Sequence, residues 1–438
     1  MLAFLLVLVV VLAVLGGVHW YVWRRLVRDV TVPGGLPRRL GTAAVVALPL
    51  CSVAALVSSR AGAPFWFQQV VAWPGFLWLA LLLYVTLALV VGEAVRPVLR
   101  ARLDRRARAA APAPAPEPVS VSGAAAVSGA GTAAGAAAGV AAAAPAAEAS
   151  AAPAAEAPVS GDDVSRRLFV SRVVGGSAAA VALGTVGYGT YGVLRGPRVK
   201  RVTVPLAKLP RAAHGYRIAV VSDIHLGPIL GRAHSQRIVD TINSTQPDLI
   251  AIVGDLVDGT VENLGPAAEP LARLRARHGS FFVTGNHEYF SGADAWVDHV
   301  RELGLRPLRN ERVEIAAGFD LAGVDDVAGE SEGQGPDFGR SLGDRDRARA
   351  AVLLAHQPIV IHDAVRHGVD LQLSGHTHGG QLWPGNYLAE LANPTVAGLE
   401  RYGDTQLYVS RGAGAWGPPV RVGAPSDITV VELASKQA

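Results

Sequence analysis

The sequence predicts two parts of different fold class, a helical membrane region followed by an α/β domain. Half of the 438 residues are hydrophobic and only 17% are charged. Most of the excess apolar residues lie before residue 200. From residue 199 onward, short β-branched runs alternate with amphipathic helical stretches, which is the pattern of α/β folds. The length of the chain allows two or three domains.

Three uncharged runs in the first hundred residues are long enough to span a membrane, which takes about 20 residues. They cover residues 1–23, 40–59 and 64–92, and we assign residues 1–108 to a three-helix transmembrane region. Arginines cluster after the first and third runs, within Arg24–Arg39 and Arg96–Arg108. Because arginine-rich loops stay in the cytoplasm, we expect the N-terminus and the loop around Arg60 on the outside.

Residues 109–164 are predicted to form a flexible linker. They consist almost wholly of Ala, Pro, Gly, Ser and Val, with a few Glu. The prolines interrupt any long alanine helix, and the segment lacks the large apolar side chains that a core needs.

A fourth membrane helix is predicted within residues 165–198. The pair Arg166 and Arg167 precedes an uncharged, glycine-rich run over residues 173–194. This arrangement resembles a twin-arginine export signal, although such signals normally begin a chain. We favour the alternative, a retained transmembrane anchor with its arginines in the cytoplasm. Both interpretations predict a multi-pass protein of the cell membrane with residues 199–438 on the extracytoplasmic side.

Five predicted strands of the second part are each followed by residues that bind metals. The strands cover residues 217–221, 249–253, 280–283, 351–355 and 369–373. Open α/β sheets bind ligands just beyond the carboxyl ends of their strands, so the side chains at these points are expected to converge. They are Asp223, His225, Asp255, Asn286, His287, His356, His376 and His378.

This set of carboxylate, amide and imidazole groups contains no thiol, which suits Mn, Fe or Zn. It offers more ligands than one ion uses, so we expect two divalent metal ions, with Asp255 bridging them. Two such ions can share a hydroxide that attacks phosphorus in line while the metal charge neutralises the phosphate oxygens. A phosphate ester is therefore the expected substrate.

The blocks D-x-H, G-D-x-x-D, G-N-H-E, a lone histidine after a strand, and G-H-x-H resemble, in this order, the calcineurin-like metallophosphoesterase superfamily. The resemblance covers residues 214–433. The segments 379–381, 410–412 and 417–419 are similar to the membrane-associated bacterial branch of that superfamily. The resemblance implies an α/β fold with four layers, α/β/β/α, in which two mixed sheets pack face to face.

The resemblance also implies the role of each residue. One metal ion is expected on Asp223, His225, Asp255 and His378, and the other on Asp255, Asn286, His356 and His376. His287 is expected beside the phosphate, as a general acid toward the leaving oxygen or as a stabiliser of the transition state. Arg411 is a candidate for contact with a substrate phosphate, and a surface salt bridge is its alternative.

Several further polar residues are assigned supporting or neutral roles. Asp258 is expected to hydrogen-bond to a metal ligand and hold it in place without binding metal itself. Glu288 stands where many relatives carry Asp, and we expect this exchange to be neutral. Asp325 and Asp326 are predicted to form a turn, and lining of the cleft is the alternative. The histidines without a motif are predicted to be solvated or on helix surfaces; they are His214, His234, His278, His299, His362 and His367.

The predicted function is hydrolysis of phosphodiesters or pyrophosphates that are lipid-linked or belong to the cell envelope, because the anchor keeps the domain at the bilayer. One alternative is a phosphomonoesterase for soluble substrates, and another is a membrane sensor or scaffold without catalysis. The arginines flank apolar runs, so no nucleic-acid groove is predicted. No protein partner can be inferred.

Overall fold

The fold is taken from a computed structural model, in which residues 2–110 and 161–437 are described. The predicted linker therefore lies almost entirely outside the described residues. Four long apolar helices precede the α/β part of the chain: α1 (Leu2–Trp23), α2 (Leu36–Val57), α3 (Phe65–Ala110) and α4 (Gly161–Leu194). A π-helical turn, Arg24–Arg28, continues α1. Each of the four helices is long and apolar enough to cross a membrane.

Small residues allow these helices to pack closely. Gly75 of α3 approaches α2 so tightly that a Cβ atom there would lie 2.5 Å from the carbonyl oxygen of Cys51. The hydroxyl of Ser52 donates a hydrogen bond of 2.7 Å to the carbonyl of Gly75 across the same contact. In a bilayer, such small-residue contacts and interhelical hydrogen bonds replace the hydrophobic effect as the main attraction between helices.

The second part of the chain contains two six-stranded sheets with helices between the strands. Its strands are β1 (Arg198–Leu206), β2 (Tyr216–Val221), β3 (Leu249–Val253), β4 (Ser280–Val283), β5 (Arg306–Pro307), β6 (Glu311–Ile315), β7 (Phe319–Gly323), β8 (Ala350–Leu354), β9 (Leu371–Ser374), β10 (Gly398–Tyr402), β11 (Thr405–Val409) and β12 (Asp427–Ser435). Its helices are α5 (Arg232–Ser244), α6 (Val261–Ala268), α7 (Asn286–Ser291), α8 (Ala293–Glu302), α9 (Phe338–Leu342), α10 (Ile361–Arg366) and α11 (Gly385–Ala392).

The two sheets pack face to face, which confirms the predicted four-layer α/β/β/α architecture. The strand order is β1-β12-β2-β3-β4-β5 in the first sheet and β10-β11-β9-β8-β7-β6 in the second, and both sheets mix parallel and antiparallel pairs. Their facing sides share one core, which includes Val220 and Ala251 of the first sheet and Val352 of the second. Helices α5, α6 and α8 cover the outer face of the first sheet. Helices α9 and α10 cover the second.

The sequence pattern also predicts a helix over residues 267–277, with Pro270 in its first turn, but the helix in the structure begins and ends earlier. The structure has α6 from Val261 to Ala268, followed by a 3-10 turn over Glu269–Arg273. Pro270 lies in that turn. Because proline has no amide hydrogen to donate, the α-helix cannot continue unchanged through this position, and the chain tightens instead.

Helices α3 and α4 contact the α/β domain directly. The hydroxyl of Tyr84 on α3 donates a hydrogen bond of 2.9 Å to the carbonyl of Trp383. The amide of Arg421 donates to the carbonyl of Gly189 on α4 at 3.3 Å. Val420 packs into the core that α1, α3 and α4 share. The membrane helices therefore form part of the surroundings of the loops that follow β9 and β11.

Candidate metal centre

The residues predicted to bind metal lie together at one edge of the sandwich, where strands of both sheets end. Strands β2, β3 and β4 run in parallel toward this edge in the first sheet, as do β8 and β9 in the second. The turns that follow them carry Asp223, His225, Asp255, Asn286, His287, His356, His376 and His378. The structure brings all eight into one cleft.

The first group of donors consists of Asp223, His225 and His378, whose ligand atoms lie within 4.8 Å of one another. The Nε2 atoms of His225 and His378 are 3.0 Å apart. The Nε2 atom of His378 is 3.4 Å from Oδ1 of Asp223. These donors converge on one point.

The second group consists of Asp255, His356 and His376, joined by Asn286. The Nε2 atom of His356 is 3.1 Å from Oδ2 of Asp255, and Nδ1 of His376 is 3.0 Å from Oδ1 of Asn286. The same Oδ2 atom of Asp255 lies 3.8 Å from Nε2 of His225 in the first group. Asp255 therefore stands between the two groups, in the position that a bridging carboxylate needs.

The backbone of this centre is strained. Asp223, His225, Asp255, His376 and His378 all have positive φ angles, between 48° and 73°. In the described part of the chain, only eight non-glycine residues have such angles, and five of them are these donors. Each such conformation costs about 1–3 kcal/mol and clusters at functional sites. The cost is consistent with turns that are shaped to aim side chains.

Glycines beside the donors allow the segments to approach each other. A Cβ atom at Gly254 would lie 2.6 Å from Nδ1 of His356, and one at Gly375 would lie 2.5 Å from Oδ2 of Asp223. Any side chain at either position would push a donor out of the cleft. Close packing therefore explains why glycines stand next to the donors in the sequence motifs.

The donor set fits divalent metal ions. Nε2 of His356 is buried and has no hydrogen-bond partner, although it faces the Asp255 carboxylate. Burial and the nearby charge of His356 lower the pKa of His376 to about 4, and burial and Arg421 lower that of His378. A histidine must be unprotonated at the nitrogen that binds a metal ion, and the lowered pKa values of His376 and His378 favour that state. Burial raises the pKa of Asp223, a cost that a bound cation would offset.

His287 lies beside the first group and is held by Asp258. Oδ1 of Asp258 is 2.7 Å from Nδ1 of His287 and 2.9 Å from Nδ1 of His225. The amide of His287 also donates to Oδ1 of Asp255 at 2.9 Å. Burial lowers the pKa of His287, but the hydrogen bond and charge of Asp258 outweigh it and raise this pKa to about 9. The ring therefore carries a proton that it can give away at neutral pH.

Sequence reasoning missed Arg421. This buried arginine lies 3.1 Å from Nδ1 of His378 and donates to the carbonyls of His378 at 3.0 Å and Gly414 at 2.9 Å. It fixes the turn that carries the last histidine of the motif. Its one signal in the sequence is a charge between Val420 and Val422, which a surface strand would also show.

Glu288 has a structural task that its motif position did not indicate. Its carboxylate accepts hydrogen bonds from the amides of Gly285 (2.6 Å), Leu256 (2.8 Å) and Asp255 (3.0 Å). It thereby ties the turn after β3 to the turn after β4. That replacement of Glu288 by Asp is neutral stays a prediction. The shorter Asp side chain would have to accept the same three hydrogen bonds.

Arg411 and the pair Asp325 and Asp326 lie at the margin of the centre. Arg411 is half-buried against Gly379 and is not among the residues that line the cavity next to His287. Its contact with substrate stays a prediction. The Asp326 side chain accepts a hydrogen bond of 2.8 Å from the amide of Ala328 and caps the 3-10 helix Val327–Glu332, where a turn was predicted.

His234 is buried, which contradicts the prediction of a solvated histidine. It is 1% exposed, and neither ring nitrogen has a hydrogen-bond partner. It lies on the inner face of α5 with Ile238 and Ile242, at helical spacing that the sequence already contained. The other five unassigned histidines are half-buried or exposed. Burial and the charge of Arg237 lower the pKa of His234 to about 3.

We expect His234→Leu to reduce the acid sensitivity of the fold. Between pH 7.5 and 5.5 the unfolded chain takes up a proton at this histidine while the folded chain does not, so stability falls with falling pH. The wild type should lose about 1.4 kcal/mol more than the variant over this interval. Thermal unfolding at both pH values measures the difference, with His362→Leu, at an exposed histidine, as the control. Equal pH dependence in wild type and both variants would contradict the assignment.

The fold and the donor set are those of metal-dependent phosphoester hydrolases. Residues 216–380 match the calcineurin-like phosphoesterase family. An uncharacterized metallophosphoesterase of Helicobacter pylori is 38% identical over 260 residues, which is 58% of this chain and 69% of that protein. One from Aquifex aeolicus is 36% identical over 243 residues, or 55% of this chain and 92% of that protein. The chain belongs to the calcineurin-like phosphoesterase family.

Some relatives are also named as transmembrane proteins. A "Transmembrane protein with metallophosphoesterase domain" from Danio rerio is 39% identical over 264 residues, which is 57% of this chain and 60% of that protein. A protein of the same name from Bos taurus is 40% identical over 253 residues, or 54% of this chain and 57% of that protein. The chain thus spans less than two thirds of the length of these two relatives.

Proposed function

We propose that this protein is a membrane-anchored phosphodiesterase or pyrophosphatase that acts on lipid-linked or envelope substrates with two divalent metal ions. The observation that carries the proposal is the pair of donor groups that share Asp255 in a single cleft. A structural ion would need one closed set of four ligands. Two adjoining groups beside a protonated histidine are typical of phosphoryl chemistry.

The roles of the side chains follow from their positions. We assign Asp223, His225, Asp255 and His378 to one ion, and Asp255, Asn286, His356 and His376 to the other; Mn, Fe and Zn all suit this set. Bound ions would supply Lewis-acid charge to the phosphoryl oxygens and activate water. His287 protonates the leaving oxygen, and Asp258 orients its ring and keeps it protonated. The ring of Trp416 packs edge-on against that of His287, with centroids 5.7 Å apart.

The contacts of the helix ends support an extracytoplasmic catalytic domain. Arginine-rich segments meet at one end of the bundle, where Arg25 pairs with Glu93 at 2.8 Å and Arg166 with Asp104 at 3.6 Å. At the opposite end, Arg60 in the α2–α3 turn lies against Phe290 of the α/β domain. If the arginine-rich end is cytoplasmic, the metal centre faces outward.

The exposed apolar side chains of helix α11 support the proposal that the α/β domain lies partly in the bilayer surface. The large apolar residues in and just before it are exposed to between 49% and 85%; they are Trp383, Tyr387, Leu388 and Leu391. The carbonyl of Trp383 is bonded to Tyr84 of the membrane helix α3. An apolar helix face at this position would bury its side chains among lipid headgroups and chains.

We expect a probe on α11 to sense lipid. With Cys51→Ser removing the only cysteine, a bimane label at Leu391→Cys in vesicles should be strongly quenched by doxyl-labelled lipids. The same label at Glu302→Cys, an exposed position at the end of α8, should be quenched much less. Equal quenching at the two positions would show that α11 lies in water.

The full-length chain in lipid nanodiscs with Mn²⁺ tests the proposed activity. We expect bis-p-nitrophenyl phosphate to be hydrolysed faster than p-nitrophenyl phosphate, with activity lost on chelation and restored by metal. Faster turnover of the monoester would favour the phosphomonoesterase alternative. No turnover of either ester, together with a chain that binds no metal, would favour a sensor or scaffold.

A further inference from the structure

A cavity beside the metal centre is lined in part by residues of α2, α3 and the turn between them. The cavity has a volume of about 130 Å³. Asp258 and His287 line its polar end. Ala55 and Leu56 at the end of α2, together with Phe76 of α3, supply part of its apolar lining. The transmembrane region is thus part of the wall of the active site, next to the proton donor.

The lining of this cavity includes a cation, Arg60. The guanidinium carbon of Arg60 lies 5.5 Å from the centre of the Phe290 ring, and that ring is 5.6 Å from the ring of His287. Phe290 therefore contacts both Arg60 and the proton donor. In the described part of the chain, Arg60 forms no ion pair with a carboxylate, so its charge is available to a ligand.

The loop around Trp416 connects the metal centre to α3. Gln381, which follows the paired histidines, donates to the carbonyl of Trp416 at 2.9 Å and accepts from its amide at 3.1 Å. The adjoining Gly417 lies against Phe76 of α3. Trp416 is thereby fixed between the turn that carries His378 and the apolar wall.

We propose that the turn between α2 and α3 completes the substrate site and selects a lipid diphosphate. The terminal phosphoryl group lies at the metal centre, the inner phosphoryl group pairs with Arg60, and the apolar chain lies along Ala55, Leu56 and Phe76. A guanidinium binds phosphoryl oxygens through its planar fork. The apolar wall would gain nothing from a soluble ester, whereas a lipid chain can continue from it into the bilayer.

The step is a hydrolysis, and this inference rests on the proposed function. Water adds to the terminal phosphorus, and the bond from that phosphorus to the bridging oxygen breaks. The lipid monophosphate leaves with a proton from His287 on the former bridging oxygen. Inorganic phosphate is the other product, and no oxidant, reductant or further reactant is needed.

Two substrates that differ only in their chain test the inference in the full-length protein in nanodiscs. Release of phosphate from hexadecyl diphosphate should have a kcat/KM at least about 100-fold above that of ethyl diphosphate, because apolar pockets discriminate by about 10-fold or more per methylene group. Ala55→Trp should lower the value for hexadecyl diphosphate about tenfold. Val53→Trp, at an exposed position of the same helix, is the matched control and should leave it unchanged.

Arg60 has its own test. Arg60→Gln should lower kcat/KM for both diphosphates about tenfold, and Arg60→Lys should retain part of it, because an ammonium keeps the charge without the fork. A readout without catalysis comes from hexadecyl diphosphate with a diazirine in its chain, used with the metal-free protein. It should label α2 and α3 near Ala55 and Phe76, less in Ala55→Trp and unchanged in Val53→Trp.

The outcomes separate this inference from the proposed function. Equal kcat/KM for the two diphosphates, or labelling that is the same in Ala55→Trp and Val53→Trp, would overturn the lipid site even if bis-p-nitrophenyl phosphate is hydrolysed. Loss of all turnover in a metal-loaded wild type would instead refute the proposed function. Labelling of α2 and α3 in that case would still support the lipid site.

Discussion

Asp255→Asn is expected to lower kcat/KM for bis-p-nitrophenyl phosphate by about 10³-fold or more, because it removes the charge between the two donor groups. One oxygen of this carboxylate lies 3.1 Å from Nε2 of His356 and 3.8 Å from Nε2 of His225. Asparagine keeps the size of the side chain but cannot neutralise a pair of cations. Metal analysis should show fewer ions per chain than in the wild type.

Asp248→Asn is the matched control for this change. Asp248 also accepts a backbone hydrogen bond, from the amide of Arg217 at 2.9 Å, but it precedes β3 at the opposite end from the centre. We expect it to keep nearly the wild-type rate and metal content. If Asp255→Asn retained its metal and its rate as well, the bridging role would be wrong.

The strands around the centre were predictable because each is a short apolar run that ends abruptly in polar residues. The predicted bounds of β3 and β4 coincide with those in the structure. All residues of β3 are buried, which explains why the run lacks the alternation of a half-exposed strand. Once the strand ends were known, the convergence of their donors followed from sheet geometry.

The supports of the donors were not predictable, because they come from segments that no local pattern connects. Arg421 reaches His378 from another loop, and its neighbours in the sequence are valines. The strained φ angles of donors such as Asp223 depend on tertiary contacts that hold the turns in place. Glu288 belongs to a recognised motif, yet its bonds to the turn after β3 appear only when β3 and β4 are paired.

The participation of the membrane helices in the cavity also has no signal in the sequence. The uncharged runs over residues 40–59 and 64–92, which supply most of α2 and the first part of α3, indicate only membrane spans. Hydropathy gives the depth and length of a helix, but its rotation and its contacts with a distant domain depend on packing. In the sequence Arg60 is an arginine in a loop, and only its position over Phe290 relates it to the candidate metal centre.

Replacing His287 is expected to damage the reaction most where the leaving group needs a proton. For methyl phenyl phosphate, a diester with a poor leaving group, His287→Ala should lower kcat by about 10²–10⁴-fold, the usual contribution of general acid catalysis. For methyl p-nitrophenyl phosphate, whose leaving group is stable as an anion, the loss should be much smaller. Asp258→Asn should give an intermediate loss, because it removes the negative charge 2.7 Å from Nδ1 of His287 that helps to keep the ring protonated.

The comparison of the two esters decides between the two roles that were open for this histidine. A general acid must lose more with phenol than with p-nitrophenol as leaving group, whereas a group that only stabilises charge on the phosphoryl oxygens loses about equally with both. Metal content should stay at the wild-type value in His287→Ala, since its ring is assigned to neither donor group. The exposed His362→Ala provides the control for removal of an imidazole. Equal losses with the two esters would assign His287 to transition-state stabilisation and leave the source of the proton among the other groups of the cleft.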